Sequence, residues 1–439
     1  MTSAQRVRDW YGAIEVYLNR RILFVLLMGV ASGLPLLLTL STLSYWLSKV
    51  GVDKTTIGLF ALVGIPYSFK FVWAPIIDQV RLPILSKLLG RRRSWLVLIQ
   101  AFLAGAIFLM GMTDPTVAPL TVAAAAVAVA FFSASQDIVI DAYRIDILRE
   151  EEQGAGAAVT QGGYRIGLLV AGAGAIALSD FIGWPAIFAM LAAIIVVSMA
   201  VTILAPEPPE PVSTRRTSPG RYDVDAFLEW AKSAVIHPFT DFMKHRGWLV
   251  ILAFVLLYKF GDAIGGVMAN PFYNELGFSG VEIAGISKVF GVIATVVGTL
   301  AGGVLVARLG VLKALVVGGI LQAVTNLLFA LLAVTGRDLT MLTVAIGADN
   351  FTSGLGSAAF VAYLSGLCNR AFTATQYALL TSLMAAGRTI LSSGGGWLAD
   401  RTDWASFFVL TTLLAIPGLL LLFWLSRLYP SPARAVSAE

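Results

Sequence analysis

Charged and polar side chains interrupt a long apolar stretch of the sequence at residues 133–146. An isolated carboxylate at the centre of a membrane-spanning helix costs roughly 2.5–3.5 kcal/mol on insertion scales, so these groups must face something other than lipid. At helical spacing, four of them share one face and an amide lies beside it: Ser133, Asp137, Asp141 and Arg144, with Gln136. The pattern predicts a helix that lines a polar cavity.

The composition identifies the class of protein that holds this cavity. Hydrophobic residues make up 58% of the chain, charged residues only 13%, and the mean hydropathy is +0.82. These values predict a multi-pass membrane protein. The polar residues 1–19 do not resemble a cleavable signal, and the one cysteine, Cys368, excludes an intramolecular disulfide framework. The basic character is assigned to loops between spans, so no nucleic-acid partner is expected.

Twelve apolar segments are each long enough to cross a hydrocarbon core of roughly 30 Å. They cover residues 22–43, 56–77, 94–112, 119–140, 155–178, 185–204, 248–272, 281–307, 311–334, 339–364, 375–399 and 404–425. Six precede and six follow the only long loop. We therefore predict an all-α membrane protein with an N-terminal six-helix bundle (1–204), a linker (205–247) and a C-terminal six-helix bundle (248–439).

The linker opens with a proline-rich run at residues 206–211 and contains a possible amphipathic helix. One face of residues 224–235 carries Val224, Phe227, Leu228, Ala231 and Val235, which favours a helix that lies on the membrane surface. The alternative is a solvated tether. Most of the 31 lysines and arginines fall in segments on the same side of the membrane as the N-terminus. Because basic loops stay inside, both termini are predicted to be cytoplasmic.

Two six-helix halves joined by a cytoplasmic loop match the major facilitator architecture, in which two bundles enclose a site near the membrane midplane. Between the second and third segments, Asp78 precedes the basic run Arg91, Arg92 and Arg93. An acid at a helix end with a basic cluster beyond it is typical of a gate that clamps one face of the bundles. The alternative for the arginines is the ordinary excess of positive charge inside. Asp141 and Arg144, with Asp146 and Arg149, are also interpreted as part of this gate.

Several charged residues fall near mid-membrane when depth is counted at 1.5 Å per residue: Asp137, Arg165, Lys259, Asp262, Asp349 and Arg388. Each has a structural alternative. Lys259 and Asp262 are three residues apart on one helix and would neutralise each other. Arg165 and Arg388 keep their charge, so each needs an anion, either a protein carboxylate or one from a ligand. Lys70 could extend towards the cytoplasm.

The functional interpretation assigns these groups to transport. Asp137, Asp262 and Asp349 are candidates for taking up and releasing a proton as the cavity opens to either side. Lys70, Arg165, Lys259 and Arg388 are candidates for binding an anionic substrate. The sequence contains neither a phosphate-binding glycine loop nor a Cys/His cluster, so an enzyme, a metal site and a cofactor are not expected.

Seven stretches resemble the AmpG muropeptide permeases: ASGLPLL (31–37), FKFVWAP (69–75), GRRRSW (90–95), SASQDIV (133–139), GAGAA (154–158), LYKFGDA (257–263) and ATQYALL (374–380). The resemblance implies proton-driven import of N-acetylglucosaminyl-1,6-anhydro-N-acetylmuramic acid, with or without its stem peptide, across the bacterial inner membrane by a monomer. It also implies a place in cell-wall recycling and in β-lactamase induction and antibiotic resistance. Polar side chains near the cavity would then hold the sugars: Gln136, Gln161, Tyr164, Tyr258 and Asn350.

Two other functions remain open at this point. The family is similar to eukaryotic acetyl-coenzyme A transporters, which also carry a polar anion. The chain could also be a membrane sensor or scaffold that does not transport. Retention of acids and bases in both halves favours a carrier, because a scaffold has no need of unpaired charges at the midplane.

Overall fold

The computed structural model describes residues 15–52, 60–209, 236–392 and 394–428. Its regular secondary structure within these ranges is helical, so the predicted all-α class is confirmed. The described residues up to 209 are called the first half below, and those from 236 onward the second half. The helix predicted within residues 224–235 lies outside the described residues.

Ten α-helices form the first half. They are α1 (Arg20–Thr39), α2 (Ser41–Lys49), α3 (Ile65–Phe69), α4 (Ala74–Gln79), α5 (Leu85–Leu89), α6 (Arg91–Met112), α7 (Pro119–Ile147), α8 (Gln153–Leu169), α9 (Ala175–Leu178) and α10 (Trp184–Leu204). Short 3-10 turns occur at Val16–Leu18, Phe60–Gly64, Lys70–Val72 and Glu150–Glu152, and a π-helical turn at Val170–Gly174 joins α8 to α9.

The second half begins with a short helix at residues 236–242, here called the loop helix. It is followed by α11 (Trp248–Leu257), α12 (Phe260–Glu275), α13 (Gly280–Ile283), α14 (Gly291–Leu309), α15 (Val311–Thr335), α16 (Leu339–Gly366), α17 (Thr373–Ser392), α18 (Gly395–Ala399), α19 (Trp404–Leu414) and α20 (Ile416–Leu428). A π-helical segment, Ala284–Phe290, leads into α14.

Eight helical stretches among the described residues are long and apolar enough to cross a membrane. They coincide with the first, third, fourth, sixth, seventh, eighth, ninth and twelfth predicted spans. The other four predicted spans fall on helices that are shorter, more interrupted or less apolar, such as the broken segment from Phe60 to Gln79. The count of twelve therefore stays a prediction.

Four clusters of buried apolar side chains form the interior. One, around Leu103, contains only first-half residues, and another, around Phe272, contains only second-half residues. The remaining two combine both halves, because Ala374 packs among first-half residues and Ile145 among second-half residues. Apolar packing therefore joins the halves as well as filling each one.

Helices α1 and α8 touch backbone to backbone. A Cβ atom added at Gly33 would lie 2.0 Å from the carbonyl oxygen of Tyr164, and one at Gly167 would lie 2.2 Å from that of Val30. Helices α14 and α16 show the same contact, since a Cβ at Gly298 would lie 2.0 Å from the Phe351 oxygen. Such small residues allow helices to approach closely where lipid offers no hydrophobic driving force for association.

The two halves meet mainly at the end of the bundle where α6 begins and α7 ends, here called the basic end. There α8 packs against α14 and α16, and α17 packs against α3, α4 and α7. The seam is tight at Gly154, where an added Cβ would lie 2.7 Å from Val306. Two turns further along α8, at Gly162, the nearest atoms across the seam are 3.8 Å away.

Candidate functional site

Arg92 lies between two carboxylates in the interior of the basic end. Its Nε donates to Asp146 Oδ2 at 2.9 Å, and its Nη1 lies 3.0 Å from Asp78 Oδ1. All three side chains are buried. Because a buried ion pair is stable only when its remaining hydrogen-bonding groups also find partners, the partners of the two carboxylates decide what this arrangement does.

Those partners come from the second half. Asp78 Oδ2 accepts hydrogen bonds from the backbone N–H of Thr375 at 2.7 Å and from its hydroxyl at 2.8 Å. Asp146 Oδ1 accepts from the Thr373 hydroxyl at 2.8 Å. The first turn of a helix has free N–H donors, which carboxylates satisfy well. We call Asp78, Arg92, Asp146, Thr373 and Thr375 the interhalf network.

Two further arginines extend this network. Arg91 donates to the Asp78 carbonyl at 3.1 Å and lies 3.7 Å from Asp146. Arg144 is fully buried, donates to Ser365 Oγ of the second half at 3.0 Å, and lies 3.8 Å from Asp141. Its guanidinium also lies over the Tyr377 ring. The residues predicted as a gate are thus at the junction of the halves, apart from Arg93 and from Arg149, whose backbone N–H bonds to Glu152.

Arg93 points away from the second half. Its Nη1 donates to the carbonyl oxygens of Ile203 and Ala205, and its Nε lies 3.3 Å from Glu207. Glu207 also accepts the backbone N–H groups of Arg92 and Arg93. Burial raises the pKa of the Glu207 carboxyl, and these N–H donors oppose that effect. Arg93 therefore ties α6 to the start of the central loop.

The central charges of the first half lie between α1, α7 and the short helices before α4. Asp137 accepts a hydrogen bond from Ser32 Oγ at 2.5 Å and is within electrostatic reach of Lys70. Lys70 is 9% exposed and also lies close to Asp141. Lys70 is therefore within electrostatic reach of two carboxylates, Asp137 and Asp141.

Three cations come from helices of both halves: Arg165 on α8, Lys259 at the start of α12 and Arg388 on α17. Each is within electrostatic reach of the other two. Arg165 is largely enclosed by protein, yet part of its side chain stays accessible to solvent. No carboxylate among the described residues forms an ion pair with Arg165 or Arg388.

Acids lie near one member of this cation cluster, Lys259. Both Asp262 and Asp349 are within electrostatic reach of its ammonium group, but the hydrogen bond of Lys259 goes to Ser357 Oγ at 2.5 Å. The direct pairing of Lys259 with Asp262, one of the alternatives from the sequence, is therefore not the contact that the structure records. Asp349 lies beside Thr325 on the neighbouring helix α15.

Lys259 also marks an interruption of the seventh predicted span. Helix α11 ends at Leu257, Lys259 has φ −108° and ψ 21°, and α12 begins at Phe260. The N-terminal end of a helix carries a partial positive charge. Placing this end beside Lys259 adds to the attraction for an anion, while Asp262 in the first turn offsets part of it.

The predicted sugar-binding side chains separate into two groups. Gln161 and Tyr164 lie half-buried on α8 near Arg165, and Tyr164 is also close to Asp137. By contrast, the Tyr258 hydroxyl donates to the Leu315 carbonyl, and the Asn350 amide bonds to Ile346 and Thr295. Gln136 is fully buried and donates to the Ala31 carbonyl. Tyr258 and Asn350 thus have polar groups already bonded within the protein.

Comparisons with known proteins agree with this arrangement. The sequence profile of the Major Facilitator Superfamily matches residues 22–347, with a second match to residues 251–439. The anhydromuropeptide permease of Escherichia coli (strain K12) is 39% identical over 412 residues, which cover 93% of this chain and 80% of that protein. The putative transporter AmpG 4 of Rickettsia felis is 35% identical over 415 residues, which cover 94% of this chain and 98% of that protein.

The chain belongs to the AmpG family of the Major Facilitator Superfamily. Among solved structures, that of the proton:xylose symporter XylE aligns with a TM-score of 0.65 at 14% identity, over 92% of this chain and 94% of that one. This likeness shows the fold alone. Membership of the AmpG family confirms the predicted family and the predicted class, a multi-pass membrane transporter.

Within this AmpG-family chain, several residues of the basic end were missed by the sequence analysis. Thr373, Thr375 and Ser365 carry no signal of their own, since hydroxyl residues are common in any helix. Asp146 was interpreted as part of the gate, but its hydrogen bond with Arg92 was not predicted, because the two residues lie on separate spans. Glu207 lies in a proline-rich run that is typical of a solvated linker.

Proposed function

We propose that the chain is a proton-coupled importer of anhydro-muropeptides, carrying N-acetylglucosaminyl-1,6-anhydro-N-acetylmuramic acid, with or without its stem peptide, from the periplasm to the cytoplasm. The 39% sequence identity to a protein named anhydromuropeptide permease, over most of both chains, supports this substrate class. The location would be the bacterial inner membrane, and the transported species would reach the cell-wall recycling pathway.

The observation that carries the proposal is the cluster formed by Arg165, Lys259 and Arg388. Guanidinium groups remain charged, and like charges held together in a partly desolvated cavity repel each other. Two of the three lack an ion-paired carboxylate among the described residues. A substrate that brings carboxylates would relieve this repulsion, and arginine binds carboxylates with two parallel hydrogen bonds. Stem peptides carry such groups.

The coupling role falls to Asp137, Asp262 and Asp349. Each lies within a predicted span and within electrostatic reach of a lysine, Lys70 or Lys259. A carboxylate in this setting can hold a proton when the cavity faces outside and release it when a cation approaches. Asp137 has the most direct local partner, the Ser32 hydroxyl.

The interhalf network would act as the cytoplasmic gate in an alternating-access cycle. In the structure it is closed, which supports loading of the cavity from the opposite side. This assignment rests on a topology of twelve spans with both termini cytoplasmic, and on division into bundles 1–204 and 248–439 joined by the linker 205–247. A monomer suffices, because both sides of the cavity come from one chain.

Uptake by right-side-out membrane vesicles tests the proposal. Labelled anhydro-muropeptide should accumulate when the outside is made acidic, and a protonophore should abolish the accumulation. Labelled acetyl-coenzyme A is the control substrate. Accumulation of acetyl-coenzyme A in place of the muropeptide, or of neither compound, would refute the assignment.

A further inference from the structure

Glu207 makes three polar contacts with the helix that carries the central arginine of the interhalf network. Its carboxylate accepts the backbone N–H of Arg92 at 2.7 Å and that of Arg93 at 3.2 Å, and lies 3.3 Å from Arg93 Nε. The side chain is largely buried, so these bonds form away from bulk water. Glu207 therefore occupies the position of an N-terminal cap on α6.

The backbone around α6 is shaped to admit this carboxylate. Gly90 has φ +83°, and a Cβ atom there would lie 2.4 Å from the Glu207 side chain. The carbonyl of Pro206 accepts a hydrogen bond from the Tyr143 hydroxyl at 2.7 Å. The first residues of the central loop are thus fixed to both α6 and α7, the two helices that supply Arg92 and Asp146.

Arg92 is consequently held at both ends. Its backbone N–H bonds to Glu207, and its guanidinium forms ion pairs with Asp78 and Asp146. A guanidinium paired with two carboxylates needs a fixed helix start, because a small rotation of α6 about its first turn would lengthen both contacts. The cap supplies that restraint through the main chain.

The other end of the loop contacts the opposite face of the network. Asp241, in the loop helix, accepts hydrogen bonds from Asn369 at 3.0 Å and from Gln376 at 3.2 Å. Gln376 also donates to the Pro238 carbonyl at 2.9 Å. Gln376 follows Thr375 directly on α17, so the contact between the loop helix and α17 lies one residue from the contact with Asp78.

We propose that Glu207 is a positioning residue of the interhalf network. By capping α6, it keeps Arg92 where its guanidinium pairs with Asp78 and Asp146, the two acids that bind the first turn of α17. Asp241 positions α17 from the other end of the loop. The roles concern the closure of the basic end and do not depend on which substrate is carried. They extend the predicted gate to two residues of a loop that the sequence indicates only as a linker.

The single cysteine of the chain, Cys368, provides a reporter for closure. It is half-buried at the end of α16, its thiol donates to the Leu364 carbonyl, and it is within electrostatic reach of Asp78 and Asp146. Loosening of the network should raise its rate of labelling by a membrane-permeant maleimide. The full-length protein in membranes is used, without added substrate.

The test compares Glu207→Ala with Asp403→Ala. Asp403 caps α19 in the same way, accepting the Ser406 N–H at 3.0 Å, but lies outside the network. Loss of a cap shifts a helix-end equilibrium by about three- to tenfold, so we expect Glu207→Ala and Asp241→Ala each to raise Cys368 labelling by about that factor. Asp403→Ala should leave it unchanged, and Glu207→Asp should restore slow labelling in part.

A double-mutant cycle separates positioning from general stability. If Glu207 acts through Arg92, adding Glu207→Ala to Asp78→Asn should raise labelling much less than it does in the wild-type background. Additive effects in the cycle, or equal labelling of Glu207→Ala and Asp403→Ala, would overturn the proposal. Melting temperatures of all variants in detergent show whether a change in labelling reflects unfolding instead. If Glu207→Ala unfolds, Glu207→Gln takes its place.

Discussion

Asp78 and Thr375 are 297 residues apart in the chain, yet one carboxylate oxygen of Asp78 accepts both the backbone N–H and the hydroxyl of Thr375. A first-half acid therefore caps a second-half helix. The same acid holds Arg92 at 3.0 Å. A single buried side chain thus connects the internal charge pair of one half to the first turn of a helix in the other.

Replacement of Asp78 by Asn should open this junction. Removing one partner of a buried ion pair costs about 3–5 kcal/mol, and Asn can accept only part of the hydrogen bonds that Asp78 accepts. We expect muropeptide uptake to fall at least about tenfold and Cys368 labelling to rise. Asp338→Asn is the matched control, because Asp338 caps α16 through the Met341 N–H but is exposed. Wild-type uptake by Asp78→Asn would contradict a gating role.

Arg388 should distinguish substrates with and without the stem peptide. Hydrogen bonds to charged groups contribute about 1.5–3 kcal/mol, so Arg388→Gln is expected to raise the KM for the peptide-bearing substrate by about 10- to 100-fold. The peptide-free disaccharide should be affected much less. Arg388→Lys keeps the charge and serves as the control, with an intermediate KM. Equal losses for both substrates would indicate that Arg388 does not bind the peptide carboxylates.

Sequence reasoning located the charged residues but not their partners. Asp78 followed by a triple arginine is a local pattern, so a charged cluster at the basic end was predictable. Thr375 and Ser365 were not, because ordinary hydroxyl residues gain their role only when distant helices meet. The central cations were found from their depth along the predicted spans, and the sequence left open whether the anion beside Arg165 and Arg388 comes from the protein or from a ligand.

Side-chain contacts could not be predicted where the backbone departs from an ideal helix. Lys259 and Asp262, three residues apart, were a candidate pair on one helix, but the helix is interrupted at Lys259 and the ammonium bonds to Ser357 instead. Tyr258 was a candidate sugar-binding side chain through the family resemblance. Its hydroxyl bonds to the Leu315 carbonyl, and its ring stacks on Phe360, contacts that depend on tertiary packing.

Asp137 and Asp349 should be required for coupling but not for substrate binding. In Asp137→Asn and Asp349→Asn the side chain no longer exchanges a proton, so accumulation driven by a pH gradient should be lost. Counterflow exchange of labelled for unlabelled muropeptide, which needs no net proton movement, should persist. Asp180→Asn is the control, because Asp180 is exposed and lies 3.8 Å from Lys49 at the surface. Gradient-driven accumulation by either variant would remove that residue from the coupling mechanism.

Gly33 should be essential for the contact between α1 and α8, the helices that carry Ser32 and Arg165. A Cβ atom there would lie 2.0 Å from the Tyr164 carbonyl oxygen, so Gly33→Ala must push the two backbones apart. Overpacking of this kind costs about 1–3 kcal/mol. The shift would also separate Ser32, next to Gly33, from Asp137, with which it forms a hydrogen bond.

Gly105→Ala is the matched control for Gly33→Ala, because no atom lies within 4 Å of a Cβ added to Gly105. In detergent, we expect Gly33→Ala to lower the melting temperature by about 2–10 °C, and Gly105→Ala to leave it unchanged or raise it slightly through higher helix propensity. Uptake should fall only in Gly33→Ala. If both variants melt and transport alike, the prediction is wrong. The close approach of α1 and α8 would then not be what aligns Ser32 with Asp137.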